Sequence, residues 1–297
     1  MLARSLACAV LLPATLLPAL ADGIGASAIE AAGTSYPAIV AGEGPPVVFV
    51  HGMLGDNRVW AGLAEATAAH GHRFVAYTQR GFGPGSRADE PFSRDRLTDD
   101  LLAILAAAGE PADLVGWSYA GPIVLRAAAR APDRVRRVVL FEPYVPELIA
   151  DDTPAHRAAN EAFGAAMGPT AEAMEAGDTV GAARAAVEAL LGLGAGGFAA
   201  EPPELQAIQL DNAPTFAAFW NAGEPTAMTC AELGTIRAPT LVMTGSTTLP
   251  AFAEMSKAVA ACIPGATTAT MEGVGHGGPV AARDAFGHQV LDFIDGS

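Results

Sequence analysis

Cations are scarce in this chain. Among its 297 residues, 17 are Lys or Arg against 32 Asp or Glu, a formal charge of -15. A surface of that sign repels phosphate backbones and anionic headgroups, so neither nucleic acid nor a membrane surface is expected as a partner. Also missing are a GxxxxGK[ST] phosphate loop, a dinucleotide fingerprint after a strand, and any paired-cysteine or HExxH arrangement. Those patterns place backbone amides or ligand side chains around phosphates and metals, and without them no cofactor and no metal is expected. Cysteine is rare: Cys8, Cys230 and Cys262 are the three present. The last two either pair, as an oxidising compartment would permit, or remain buried thiols.

Long apolar runs are lacking except at the start of the chain. There Arg4 precedes an apolar stretch from Leu6 to Leu17, and Ala19-Leu20-Ala21 supplies a small-x-small site before Asp22. The run is broken by Pro13 and is too short to span a bilayer comfortably. Residues 1–21 therefore read as a secretory signal peptide, whose removal exports the protein to the periplasm or medium and leaves no membrane insertion.

What the chain does have is apolar material: 51% of residues are hydrophobic and 16% charged, enough for one large core. Val47-Val48-Phe49-Val50 is a continuous apolar run of the kind a strand buried on both faces requires. Further strands are expected at His72 to Tyr77, Asp113 to Gly116, Val138 to Phe141, Ala238 to Gly245 and Thr267 to Met271. Helical spacing lies between them, at Trp60 to Ala69, Arg94 to Ala108, Gly121 to Arg130 and Ala251 to Cys262, and a terminal helix runs from Ala281 to Ile294. Such alternation predicts an α/β fold with a mostly parallel central sheet and helices on both faces. Residues 147–233 break the pattern. They are Ala-rich, contain Gly-Leu-Gly-Ala-Gly-Gly and Glu-Pro-Pro breaks and show no convincing strand, as expected of an inserted helical cap. The sheet core then comprises 22–146 and 234–297.

Chemistry concentrates at Leu114-Val115-Gly116-Trp117-Ser118-Tyr119-Ala120-Gly121, where a strand passes into a helix through one residue. So sharp a turn exposes the Ser118 hydroxyl and tolerates only small flanking residues, which Gly116, Ala120 and Gly121 provide. A serine becomes a nucleophile only when a base removes its proton. Of six histidines, His276 alone lies between a late strand and the terminal helix, inside Gly-His-Gly-Gly.

In motif order the mature chain resembles the α/β-hydrolase superfamily over nearly its whole length. Val47 to Gly52 is similar to that family's strand into an HG oxyanion loop, and Trp60 stands at a familiar position downstream. Arg80 to Ser86 is similar to its R-G-x-G-x-S turn, although Thr78 replaces a common acid. The resemblance implies Ser118 as nucleophile, His276 as base, and the backbone amides of Met53 and Tyr119 as oxyanion donors. It makes His51 a loop-shaping residue. Where the family usually carries an Asp, the stretch Ser246-Thr247-Thr248-Leu249-Pro250 has no carboxylate. Glu142, at the end of the strand after the elbow helix, is an acid position used by some members and becomes the third catalytic residue. Alternatively it bonds a backbone amide or an arginine, and the histidine goes without an acid.

The implied activity is hydrolysis of a small to medium neutral ester or lactone. Perhydrolysis, carbon-carbon bond hydrolysis and acyl transfer use the same triad, and a non-catalytic sensing module of the same fold is a further alternative. Phe163, Met167, Met174, Phe198, Phe216, Phe219 and Trp220, with Trp117 and Tyr119, are available for an apolar pocket, although most apolar residues on amphipathic helices are core. Oligomeric state is not legible.

Overall fold

A computed structural model describes residues 25–85, 93–150, 153–222 and 226–296. The expected signal peptide, and Ser86 at the end of the R-G-x-G-x-S turn, lie outside them.

The centre is an eight-stranded sheet: β1 (Gly25–Ala31), β2 (Thr34–Ala41), β3 (Pro46–Val50), β4 (Arg73–Tyr77), β5 (Ala112–Trp117), β6 (Val135–Phe141), β7 (Thr240–Gly245) and β8 (Thr267–Met271), in the order β1-β2-β4-β3-β5-β6-β7-β8. From β4 to β8 every pairing is parallel, and the pairings of β2 with β1 and β4 are antiparallel. Strand β3 is buried at all five positions, and its residues divide between two cores. Val48 and Val50 pack with Leu114, Leu140 and Val242 on one face, whereas Val47 and Phe49 pack with Val115, Val139 and Met243 on the other. That division explains the unbroken apolar run, because both faces of a parallel sheet are covered.

On the first face lie α2 (Arg94–Ala108) and α3 (Ala120–Arg130), contributing Leu97, Leu101, Ile104 and Ile123 to Leu125. On the second lie the 3₁₀ turn Asn57–Leu63, which runs into α1 (Ala64–Ala69), and the C-terminal helix. Between β6 and β7 the chain forms α4 (Pro154–Ala166), α5 (Gly168–Glu175), α6 (Thr179–Leu191), α7 (Pro203–Asp211), α8 (Ala213–Asn221) and α9 (Cys230–Leu233), with no strand among the described residues. After β7 come α10 (Pro250–Cys262), α11 (Gly278–Ala281) and α12 (Arg283–Asp295).

The strands β1 and β2 are not in the sequence expectation, which leaves the segment before Pro45 as a polar lead-in. They form a hairpin that turns through Ala32 and Gly33, both at positive φ (47° and 73°), the geometry that matches strand twist in two-residue hairpins. Pro37 inside β2 masks the alternating pattern of that strand, since proline is depleted in sheets.

Cys230 and Cys262 are bonded, joining the last helix of the insertion to the end of α10. The bond spans 32 residues, and cross-linking a loop of that length is worth about 3 to 4 kcal/mol through the unfolded chain. Cys230→Ser and Cys262→Ser are each expected to lower unfolding free energy by up to that amount. Reductant should destabilise the wild type equally and leave both variants unchanged, as read by urea melts. Equal melts with and without reductant in the wild type would contradict the bond's contribution.

Candidate active site

The strand order reverses between β3 and β5, because the chain runs from β3 outward to β4 and then returns to the other side of β3. Crevices at the carboxyl ends of strands flanking such a reversal are where open α/β sheets bind ligands. Both strands deliver candidate residues there: β3 ends at His51 and Gly52, and β5 ends at Trp117 and Ser118.

Ser118 sits at φ 56°, in the left-handed region that few side chains occupy. Neighbouring hydrogen bonds hold it there. Its N–H donates to the Phe141 carbonyl at 3.0 Å, and its own carbonyl accepts from the N–H groups of Gly121 (2.8 Å) and Tyr144 (2.9 Å). Small residues make the turn possible. A Cβ on Gly121 would lie 2.4 Å from Cβ of Pro143, and one on Gly52 would lie 3.1 Å from the Trp117 carbonyl oxygen and 3.2 Å from Cβ of Ser118.

One strand over, Glu142 leaves β6 in the same way, at φ 45°, its N–H donating to the Met243 carbonyl at 3.0 Å. Its carboxylate is fully buried yet saturated with donors. Oε1 accepts from the Gly245 N–H at 2.7 Å, and Oε2 accepts from Thr248 Oγ1 at 2.8 Å and from His276 Nδ1 at 2.6 Å. A buried charge so paired and bonded is tolerable, whereas an unpartnered one is not. With Nδ1–H committed to the glutamate, Nε2 is the free lone pair, and Ser118 Oγ lies 2.9 Å from it. Ser118, His276 and Glu142, 158 and 134 residues apart along the chain in successive pairs, are thus brought into one hydrogen-bonded line. Thr248, in the stretch without a carboxylate, serves as a donor to Glu142.

Sequence reasoning missed the residues that hold the imidazole ring. Phe252, from α10, stacks on it with centroids 3.7 Å apart and planes at 16°. Trp117 Nε1 donates to the His276 carbonyl at 3.0 Å. An inward phenylalanine on an amphipathic helix carries no sequence mark that separates it from core.

A cavity of about 50 Å³ opens beside Ser118 and His276, lined by Gly52, Met53, Trp117 and residues from α6 and α7. Beyond Val59, Leu205, Ile208 and Val280, which line both spaces, lies a larger one of about 490 Å³. Of the residues the sequence makes available for an apolar pocket, Trp117 lines the cavity and the rest do not. Met167, Phe198 and Phe216, with Phe163, Met174 and Phe219 against them, form an apolar cluster between the insertion and Leu54 of the loop after β3. Trp220 is exposed. Tyr119 is buried against Phe219 (5.2 Å between centroids) and below the Arg94 guanidinium. Its N–H belongs to the residue after the nucleophile, at the start of α3, where a helix favours negative charge.

The insertion is fixed to this end of the sheet by polar contacts. Arg58 Nη2 bridges Asp56 (2.6 Å) and Asp211 (2.7 Å), while Asn212 accepts from the Gly83 N–H at 2.7 Å and donates to Asp56 at 3.2 Å. Thr215 donates to the Gly81 carbonyl. Burial works against charge on Asp56, but the Arg58 donors outweigh it and hold the carboxyl below its ordinary range.

His51 occupies a different place from His276. Its Nε2 accepts from the Gln79 N–H at 3.0 Å and its Nδ1 donates to the Gly52 carbonyl at 2.9 Å, so both nitrogens shape the loop. Burial pushes it from its ordinary 6.5 down to about 4. The unfolded chain therefore gains a proton near pH 6.5 that the folded chain refuses until about 4. Stability is fully present above 6.5 and falls through that window by about 3 kcal/mol from this residue alone. Denaturant melts of wild type and His51→Gln between pH 7 and 4 check this: the wild type should lose that much more than the variant, and parallel losses would refute it.

A family model described as alpha/beta hydrolase fold matches residues 45–279. A 2-hydroxymuconate semialdehyde hydrolase from Pseudomonas sp. (strain CF600) is 39% identical over 104 residues, 34% of this chain and 37% of that protein. A pimeloyl-[acyl-carrier protein] methyl ester esterase from Chromobacterium violaceum is 35% identical over 116 residues, 39% and 43% of the two chains. The chain thus spans less than half the length of these curated relatives. Among solved structures, the enol-lactonase from Burkholderia xenovorans superposes with a TM-score of 0.71 at 23% identity, over 91% of this chain and 100% of that one, a likeness of fold. The sheet order, the left-handed turn at Ser118 and the match over most of the chain agree: the protein belongs to the alpha/beta hydrolase fold family.

Proposed function

We propose that the protein is an exported serine hydrolase cleaving a small to medium neutral carboxylic ester or lactone through an acyl-enzyme on Ser118. One observation carries this reading: the unbroken line from Ser118 Oγ to His276 Nε2 (2.9 Å) and from His276 Nδ1 to Glu142 Oε2 (2.6 Å), opening on a cavity. Two names among the relatives, a semialdehyde hydrolase and a methyl ester esterase, support a hydrolytic reading. The Cys230–Cys262 bond supports export, since such bonds persist in oxidising compartments.

In this reading Ser118 Oγ attacks the substrate carbonyl as its proton passes to His276 Nε2. Glu142 holds the tautomer that leaves Nε2 free and stabilises the imidazolium without itself taking the proton. The carbonyl oxygen becomes an oxyanion facing the Met53 and Tyr119 amides, which need no reorganisation to receive it. Collapse expels the alkoxide with the proton from His276 and leaves Ser118 acylated. A water, deprotonated by the same Nε2, then releases the acid and restores the serine. The helices over the cavity act as a cap. Apart from Ser118, His276 and Gln209 the cavity side chains are apolar, which favours a neutral acyl group.

A fluorophosphonate probe should label the mature protein at Ser118, with labelling abolished in Ser118→Ala and strongly slowed in His276→Ala. Glu142→Gln should keep the melting temperature within a few degrees and lower kcat on p-nitrophenyl butanoate by about 10³- to 10⁴-fold, because the neutral amide no longer fixes the imidazole tautomer. Near-normal turnover by Glu142→Gln would remove the glutamate from the mechanism, and absence of labelling in the wild type would remove the reaction.

A further inference from the structure

Proton transfer from Ser118 would turn His276 into a cation, and that cation forms in a buried ring. Its two nitrogens are served along the ring's edge, Nδ1 by Glu142 at 2.6 Å and Nε2 by Ser118 Oγ at 2.9 Å. The positive charge of an imidazolium is spread over the whole ring, so the face also needs a partner once water is excluded.

That face carries the phenyl ring of Phe252, with centroids 3.7 Å apart and planes at 16°. Two neutral aromatic rings avoid this arrangement, because both faces are negative, and they settle offset or edge-on with centroids about 4.5 to 7 Å apart. Other ring pairs around the site keep to that rule: Phe163 with Phe252 lies at 5.9 Å and 82°, and Trp117 with His276 at 5.9 Å and 48°. Since carbons in contact lie about 3.5 Å apart or more, a 3.7 Å centroid separation leaves almost no offset. A cation over the same face is attracted to it. The stack is therefore poor for the imidazole of the resting site and good for the imidazolium of the transition state, the kind of differential interaction that accelerates a step.

Phe252 is held against the imidazole by its own surroundings. It is the third residue of α10, and its N–H donates to the Leu249 carbonyl at 3.0 Å. Its ring is buried in a cluster with Ile149, Ala159 and Met255, edge-on to Phe163 of the insertion. Four residues earlier, Thr248 donates to Glu142. One stretch of five residues thus sets both the carboxylate and the face of the ring it serves. Packing alone does not require an aromatic here, because leucine would also fill an apolar cluster.

We infer that Phe252 is a positioning residue for the hydrolysis, whose negative ring face stabilises the imidazolium formed on His276 more than the neutral imidazole. Phe252 itself exchanges no proton: the proton leaves Ser118 Oγ for His276 Nε2 and returns to the leaving oxygen. This deepens the serine-hydrolase reading and rests on it.

In the test, Phe252 of the whole enzyme is replaced by amber suppression with 4-fluoro-, 3,5-difluoro- and pentafluorophenylalanine. These rings keep nearly the same shape while the face loses its negative charge step by step and, in the last, turns positive. On p-nitrophenyl butanoate, kcat should fall along the series to about a tenth of wild type or less with the pentafluoro ring, and KM should stay within about twofold, as for an interaction made in the transition state. The rate of fluorophosphonate labelling, which reads the first proton transfer alone, should fall in parallel. Circular dichroism and melting temperature verify that the variants fold. A kcat that stays flat along the series overturns the inference, and so does a loss equal for all three rings, because packing alone would then account for it. Absence of both labelling and turnover in the wild type overturns the hydrolase reading and this inference with it, whereas a flat series in an enzyme that labels overturns the inference alone.

Discussion

Everything at this site depends on two neighbouring parallel strands ending at the same level in the same unusual way. Trp117 of β5 pairs with Phe141 of β6, and the next residue on each strand, Ser118 and Glu142, turns into left-handed backbone. Non-glycine residues in that region cost of order 1 kcal/mol or more each and persist only where the surroundings over-determine them. Here the surroundings are the ladder itself, because the Ser118 N–H bonds to the Phe141 carbonyl and the Glu142 N–H to the Met243 carbonyl. Both side chains are consequently aimed out of the sheet's carboxyl end, one as hydroxyl and one as carboxylate. His276 then needs only to be held between them.

Much of this was legible in the residues. The elbow was readable because the demand for small neighbours is local; Glu142 came from the family resemblance, once the end of its strand had been located from the apolar run. The glycine-flanked histidine was readable for the same reason. What escaped depends on contacts that chain position does not encode. The stack of Phe252 on the imidazole and the donation from Thr248 to Glu142 arise where α10 and the loop after β7 meet the histidine loop. The hairpin at the start of the described chain was hidden by Pro37 and by alanines too small to announce a buried face.

The insertion owes its placement to two unlike fastenings. At its end, Cys230 is bonded to Cys262 of the core helix that also presents Phe252. At its middle, buried Asp56 and Asn212 and half-buried Arg58 and Asp211 form a polar knot, whose satisfied members make it specific in direction where apolar contact alone would allow sliding. The glycine-rich turn after β4 receives α7 and α8 through Gly83 and Gly81, which gives that motif a structural task apart from catalysis.

The neighbours β6 and β7 touch along four residue pairs, yet about a hundred residues separate them in the chain, and ordering so long a loop is a slow step that must precede their pairing. Glu142 takes one of its three donors from the end of β7, and the others come from residues beyond it. A ribosome therefore releases the segment bearing Ser118 long before His276 has been made. The hydrogen-bonded line from Ser118 through His276 to Glu142 joins segments on both sides of the insertion, so it exists only once β7 and the histidine loop have docked on the strands made before them.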